Sequence, residues 1–296
     1  MQFKSISQRI SLLFGSLAAF ICLGLGLIAY NNSSKALTES NDQALIELAQ
    51  ANAQVIAQAM RVQINALEAV AENHWLKSDD LTLDEKLELL KAEELRSGHI
   101  NMYIGDTQGN AKFTTGQTVN VADRDYYQKA LAGESVISDP LFNRADNSLV
   151  MVVAVPIKDG NKVKGVLVAT RDGNVLSNFV TQMSTTSREI CMINKKGITI
   201  AHKDQSLVTE MYNAQEAAKE NPELGELAAL QKQMTEGKQG VGVYTFQGVT
   251  KYMGFAPIEG TDWSLAVTAP KSVIMAKATE LAKTMMLISL VFLLLS

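Results

Sequence analysis

The stretch that decides the fold runs from Val119 to Asp172. It carries D-R-D-Y-Y at Asp123–Tyr127, S-D-P at Ser138–Pro140, V-M-V-V-A-V-P at Val150–Pro156 and G-V-L-V-A-T-R-D at Gly165–Asp172. The first fragment reads as a loop or the start of a short helix, stopped at Gly133. The last two are apolar runs of strand length, joined by the polar turn Lys158–Lys164 with Asp-Gly-Asn inside it. Strands of this kind beneath an Arg and two Tyr set one cation and several phenol rings over the face of a sheet. Such a layout holds a small anionic or polar molecule without doing chemistry on it.

Working outward, Asn101–Gly105 and Ala111–Thr115 read as a hairpin around Asp106–Asn110, and Ser135–Ser138 as a further short strand. With the two apolar runs this predicts a five-stranded antiparallel sheet. A helix is expected upstream over Leu81–Ser97, capped from Ser78-Asp79-Asp80. Downstream the order recurs. A helix at Asn174–Met183 leads to a hairpin of Glu189–Asn194 and Ile198–His202. A helical stretch, Ala214–Glu236, is interrupted near Asn221-Pro222. Three strands then follow at Gly240–Phe246, Val249–Pro257 and Trp263–Ala269. The repeat is one of architecture, not of residues. The class is α+β.

Asn31–Asn73 contains no Gly or Pro, and apolar residues recur at Leu45, Leu48, Val55, Ala59, Val62, Ala66 and Val70. This predicts a long amphipathic helix, rising roughly 60 Å at 1.5 Å per residue. One small domain rarely covers that length, so part of the stripe is expected to pair with a second copy; the competing reading packs it all on its own domain. Before it, Ile10–Tyr30 is uncharged and apolar, and Met1–Arg9 carries Lys4 and Arg9 without an acid. That is the length of a membrane-crossing helix with a cytoplasmic N-terminus. A cleaved signal peptide is the competing reading, against which stands the long apolar core without a small-x-small cleavage site. A second apolar run after Lys283 reads as the start of another transmembrane helix, cut short at Ser296.

Composition narrows the function. The 296 residues carry a net charge of −4 and no basic patch beyond the extreme N-terminus, which argues against nucleic acid as a partner. Cys22 lies in an apolar run and Cys191 in a strand-like one, so neither a disulfide nor a cysteine metal site is expected. His74, His99 and His202 lack ligand spacing. Phosphate-loop, nucleophile-elbow and zinc-helix motifs are absent. Neither an enzyme nor a cofactor is implied.

Two membrane runs enclosing a long helix and two successive sheet modules resemble the double Cache (dCache) sensor domain, over about residues 31–283. The resemblance rests on D-R-D-Y-Y-Q-K-A-L-A-G at Asp123–Gly133, S-D-P, A-V-P-I at Ala154–Ile157 and G-V-L-V at Gly165–Val168. It also rests on K-Y-M-G-F-A-P-I at Lys251–Ile258 and G-T-D-W-S-L at Gly260–Leu265. It implies a cytoplasmic segment (1–9), a transmembrane helix (10–30), a stalk helix (31–80), a membrane-distal PAS-like module that binds ligand (81–172), a membrane-proximal PAS-like module (173–283) and a second membrane helix (284–296). It further implies an extracytoplasmic sensor of a chemoreceptor, with a histidine kinase or diguanylate cyclase output as alternative; a non-signalling solute-binding ectodomain is the second. A homodimer through the stalk belongs to the same expectation.

In amino-acid-sensing members, an Arg, an aromatic residue and a Tyr at the positions of Arg124, Tyr126 and Tyr127 hold the ligand carboxylate. Acidic residues, on the loop at Leu141–Arg144 and at the end of the last strand, hold its ammonium. Here that loop has Asn143 and the strand has Thr170; Asp172, two residues on, is placed by alternation on the same side. Tyr103, on the first strand, is a further candidate. The expected ligand is a small carboxylate, with a pyrimidine or an amino acid as alternatives. The competing reading for Arg124 is an ion pair with Asp123 or Asp125, and for the tyrosines ordinary core. Asp139 reads as a turn former before Pro140. Tyr244, Tyr252 and Trp263 read as packing on the second sheet.

Overall fold

In a computed structural model of the chain, the described residues are 6–144, 146–276, 279–280 and 283–288, without the side chains of 6–9, 11, 12, 18, 19, 22 and 23. One helix, α1 (Ile6–Ala71), runs through both the apolar N-terminal run and the predicted stalk. It ends at Ala71, so the stalk is shorter at its far end than expected. The chain there turns through α2 (His74–Lys77) into α3 (Leu83–Ser97). The cap of α3 is Thr82, which forms a reciprocal capping box with Glu85. The predicted Ser78-Asp79-Asp80 cap is instead a local turn, in which Ser78 Oγ accepts from the Asp80 amide.

The first sheet contains β1 (Asn101–Gly105), β2 (Asn110–Phe113), β3 (Thr118–Asn120), β4 (Val136–Ile137), β5 (Leu141–Phe142), β6 (Leu149–Asp159) and β7 (Lys162–Asp172), with α4 (Asp125–Leu131) between β3 and β4. The order is β3-β2-β1-β7-β6-β4, with β5 also on β6, and every pairing is antiparallel. This is a seven-stranded sheet, not a five-stranded one. The two extra strands, three and two residues long, are too short to stand out, and pair with the edges that β2 and β6 offer. The long β6–β7 hairpin is buried on both faces, which is why it reads as two unbroken apolar runs. Met102, Ile104, Val153, Val155, Leu167 and Ala169 face Leu67, Leu76, Leu87 and Leu90 of the helices. The alternate residues Tyr103, Val150, Val152, Val166 and Val168 face α4.

The second sheet follows α5 (Val175–Met183). It contains β8 (Glu189–Ile193), β9 (Thr199–Ala201), β10 (Gly240–Phe246), β11 (Val249–Pro257) and β12 (Ser264–Pro270), in the order β10-β11-β12-β8-β9. Between β9 and β10 lie α6 (Ser206–Thr209), α7 (Ala214–Ala217), a 3-10 turn at Pro222–Leu224 and α8 (Gly225–Thr235); α9 (Lys271–Ile274) follows β12. One face packs on α1 and α5, the other on α8.

The buried stripe of α1 is Leu45, Ala49, Ala53, Ile56 and Met60, then Leu67 and Val70. Val55 and Val62, expected on that stripe, are 48% and 61% exposed. β11 presses onto the helix backbone at Leu45, where a Cβ at Gly254 would sit 2.5 Å from the carbonyl carbon.

Among the described residues no helix is long and apolar enough to cross a membrane. Positions 11, 12, 18, 19, 22 and 23 of the first expected span, and 289–296 of the second, are outside the residues that this statement covers.

Candidate functional site

A cavity lies between the α4 face of the first sheet and the chain around β5. Its polar lining is Tyr103, Arg124, Tyr126, Asn143, Arg144 and Thr170; its apolar lining comes from β2, β3, β5 and β6, with Phe113, Val119, Val150 and Val152 among them. With the solvent at its mouth it spans about 350 Å³ of space free of atoms, of which about 20 Å³ admits the centre of a water molecule. One water needs roughly 10–15 Å³ on that measure, so the walls stand close together.

Arg124 is the N-cap residue of α4, in extended conformation, so its side chain leaves before the helix begins. Its Nη2 donates to the Phe142 carbonyl at 3.1 Å, tying α4 to β5. This is not the ion pair with Asp123 or Asp125 of the competing reading. Asp123 is held by Arg144, which also donates to the Asn120 carbonyl at 3.0 Å, and that ion pair holds the Asp123 carboxyl below its usual range.

Tyr126 and Tyr127 are adjacent on a helix, so their side chains diverge by about 100°. Tyr126 turns into the cavity, where its hydroxyl lies 2.9 Å from that of Tyr103. Tyr127 does not reach the cavity. Its hydroxyl donates to the Asp106 carbonyl at 2.7 Å, and its ring covers Gly105, where a Cβ would lie 1.9 Å from the phenol oxygen. Tyr127 therefore anchors α4 to the end of β1. The two phenols that meet beside the guanidinium are Tyr126 and Tyr103, not Tyr126 and Tyr127. Burial raises the pKa of both, Tyr103 well above the usual phenol value, so both are neutral donors.

Thr170 lines the cavity, with its hydroxyl bonded to Asn101 Oδ1 at 2.6 Å. Asn143 also lines it. Asp172 does not: it is exposed, and its Oδ1 accepts from the Asn174 amide at 2.7 Å. Alternation alone would bring Asp172 to the side of Thr170, but β7 ends at Asp172 and the carboxylate caps the turn that follows. Arg144 is the lining residue that the sequence reading passed over. Its only signal was its place next to Asn143. No carboxylate lines the cavity among the described residues, and none of them form a cluster able to hold a metal ion.

Comparison with known proteins gives the family and the fold. The model of the Cache domain family, in its double (dCache) form, matches residues 32–278. The chain belongs to the Cache domain family. A curated relative, the methyl-accepting chemotaxis protein McpA of Bacillus subtilis, is 23% identical over 279 residues. That match takes in 90% of this chain but 39% of McpA, so the chain spans about two-fifths of its relative's length. Among solved structures, the ligand-binding domain of the Pseudomonas fluorescens chemoreceptor CtaA with L-leucine superposes with a TM-score of 0.65 at 19% identity, covering 81% of this chain and 99% of that one. The sensory domain of Campylobacter jejuni Tlp3 with isoleucine gives 0.58 at 14% identity, covering 81% and 96%. At such identities the likeness shows that this Cache domain shares their fold: a long N-terminal helix and two antiparallel sheets.

Proposed function

We propose that this Cache domain is the extracytoplasmic ligand-sensing region of a transmembrane chemoreceptor, and that its first sheet module holds a small carboxylate. The observation that carries the ligand class is the donor set of the cavity. Arg124 presents a charged planar fork. The Tyr103–Tyr126 pair has two hydroxyl protons and one mutual hydrogen bond, so one O–H remains to point at a guest. With Arg144 at the rim and no carboxylate in the lining, the cavity offers donors and positive charge, and no anionic group to receive an ammonium. The neighbouring structures named above hold amino acids; by its own lining this cavity suits an organic acid better.

The proposal places 10–30 in a membrane, 31–71 as the stalk, 81–172 as the distal and 173–283 as the proximal module, and a second membrane helix from 284. The membrane assignment is supported by the bare apolar surface of α1, where Leu13, Phe14, Phe20 and Leu25 are each more than 60% exposed and point around the helix. The exposed Val55 and Val62 support a homodimer along the stalk. The chemotaxis output is supported by the McpA match.

The test is a thermal-shift panel on the full chain with acetate, pyruvate, succinate, uracil and L-leucine. Binding to the native state raises the apparent melting temperature by mass action. An organic acid is expected to give the shift, and Arg124→Ala to remove it. A shift from L-leucine alone, or one that survives Arg124→Ala, overturns the carboxylate reading.

A further inference from the structure

Two of the cavity's walls lie outside the sheet's long central strands: the start of α4, and the chain through β5 to Arg144, which Asp139 leads into. Each carries a tether to one turn of the second sheet. From α4, Lys129 reaches Asp262 at 4.0 Å, in a pair shared with Asp125. From the other wall, Asp139 receives two side-chain hydrogen bonds. The Trp263 indole N–H donates to Oδ1 at 2.6 Å, and the Asn194 amide donates to Oδ2 at 2.8 Å. Asn194 and Trp263 are 5% and 4% exposed and Asp139 is half-buried, so both bonds are partly shielded from water.

Each end of this junction is itself fixed. Asn194 Oδ1 accepts from the Lys196 and Ile198 amides, both at 3.0 Å, and so holds the turn between β8 and β9. The Trp263 carbonyl accepts from the Ile258 amide at 2.9 Å, closing the turn between β11 and β12. On the cavity side, the Val152 amide donates to Ser138 Oγ at 3.0 Å, and Ser138 Oγ donates to the Asp139 carbonyl at 2.7 Å. Val152 lines the cavity. A continuous chain of hydrogen bonds thus runs from the cavity floor, through Ser138 and Asp139, to two turns of the second sheet. A turn former before Pro140 needs none of these partners.

We infer that the Asp139–Trp263–Asn194 junction is the element through which the second sheet reads the state of the cavity. The inference rests on the cavity being the ligand site. Any guest that takes the Arg124 guanidinium from the Phe142 carbonyl moves β5, two residues beyond Asp139–Pro140. Hydrogen bonds of fixed geometry then either follow that movement into β8 and β12 or break, and a contact with two discrete arrangements is what coupling between distant sites requires. By linkage the effect runs both ways.

Amide hydrogen exchange on the full chain in detergent micelles tests this without any ligand. Arg124→Ala frees the Phe142 carbonyl, and is expected to speed exchange of the Ile258 amide about 5-fold or more, the lower end of coupling between allosteric sites. Exchange in the remote β10–β11 pair Val243–Tyr252 should not change. In an Asp139→Asn background, where an N–H₂ replaces the acceptor for Asn194, Arg124→Ala should leave Ile258 unmoved. In the reverse direction, Trp263→Phe should speed exchange at the Asn143 amide, which donates to the Ser148 carbonyl at 2.9 Å. Should Arg124→Ala lose protection of the β6–β7 core, Arg124→Lys is read in its place. Equal Ile258 exchange in the parent and the Arg124 variant overturns the junction and leaves the carboxylate reading standing. A panel without any binding, beside a positive exchange result, retires the ligand class and keeps the junction.

Discussion

The Tyr103–Tyr126 hydroxyl pair makes a prediction that needs no ligand. The oxygens lie 2.9 Å apart, and the residues are 2% and 6% exposed. Tyr126→Phe takes away the hydroxyl partner of Tyr103, the more deeply buried of the two, whose ring lies against Phe113 at a separation of 4.4 Å. An orphaned buried hydroxyl costs about 1–3 kcal/mol. Tyr103→Phe instead leaves the Tyr126 hydroxyl facing the cavity, where a water can reach it, so the loss is that of an ordinary hydrogen bond, about 0.5–1.5 kcal/mol. The order of the two single variants is therefore fixed: Tyr126→Phe is the more damaging. The double variant removes both partners and should cost less than the sum, with a coupling of about 1 kcal/mol, inside the range for residues in contact.

The assay is thermal unfolding of the four chains, parent, two singles and double, at one pH and detergent concentration. With about 2–4 °C per kcal/mol for a domain of this size, Tyr126→Phe should lower the melting temperature by about 2–12 °C. Tyr127→Phe is the control. It removes the bond to the Asp106 carbonyl, so it should cost stability while leaving any carboxylate-induced shift in place. Additivity of Tyr103→Phe and Tyr126→Phe within about 0.3 kcal/mol, or a reversed order of the singles, refutes the hydroxyl pair and with it the spare O–H assigned to the ligand.

Two further outcomes test the frame around the site. Gly254→Ala puts a methyl 2.5 Å from the backbone of Leu45, which cannot rotate away; overpacking of this kind costs about 1–3 kcal/mol, and urea unfolding should show it, while a neutral result would mean that α1 is not seated on β11. Burial, reinforced by Arg171 and opposed by Glu93, holds the His99 pKa down from 6.5 to about 4. A depressed histidine favours the neutral form in the fold, so its contribution is complete above pH 6.5 and is lost as the pH falls towards 4; His99→Gln should flatten the urea midpoint across that window, and an unchanged slope would place the acid sensitivity elsewhere.

What the sequence made legible follows from how local each signal is. The stalk part of the long helix was visible because Asn31–Asn73 holds no Gly or Pro. Its buried side was legible only in part: Leu45 and Val70 of the expected stripe are buried, while Val55 and Val62 are exposed. The β6–β7 hairpin declared itself through unbroken apolar runs. β3 and β5 did not, since strands this short are created by the neighbour that they pair with. Arg124 and Tyr126, which line the cavity, were singled out by their motif, and Tyr127 was carried along because adjacent residues in a loop can converge. Once α4 begins at Asp125, the helical turn separates the two tyrosines. Tyr103 takes the vacant role because strand alternation puts it on the α4 face, opposite Met102 and Ile104.

The narrowness of the cavity bears directly on how it would sense. With about 20 Å³ open to water centres, even acetate cannot enter without parting the walls. The contacts that hold them together, Arg124 to the Phe142 carbonyl and Tyr103 to Tyr126, are made by the same groups that the proposed ligand would engage. On the proposed reading a carboxylate would compete with these contacts for its own donors, and a form with the walls parted would be the minor state without it. Its apparent affinity would be reduced by the fraction of molecules already open, and its differential binding would go into separating α4 from β5. A preformed, roomy pocket would bind more tightly and report less. On that reading the closed walls, the shared donors and the contacts from both walls to the Asp262–Trp263 turn would work as one arrangement, in which filling the site moves its walls.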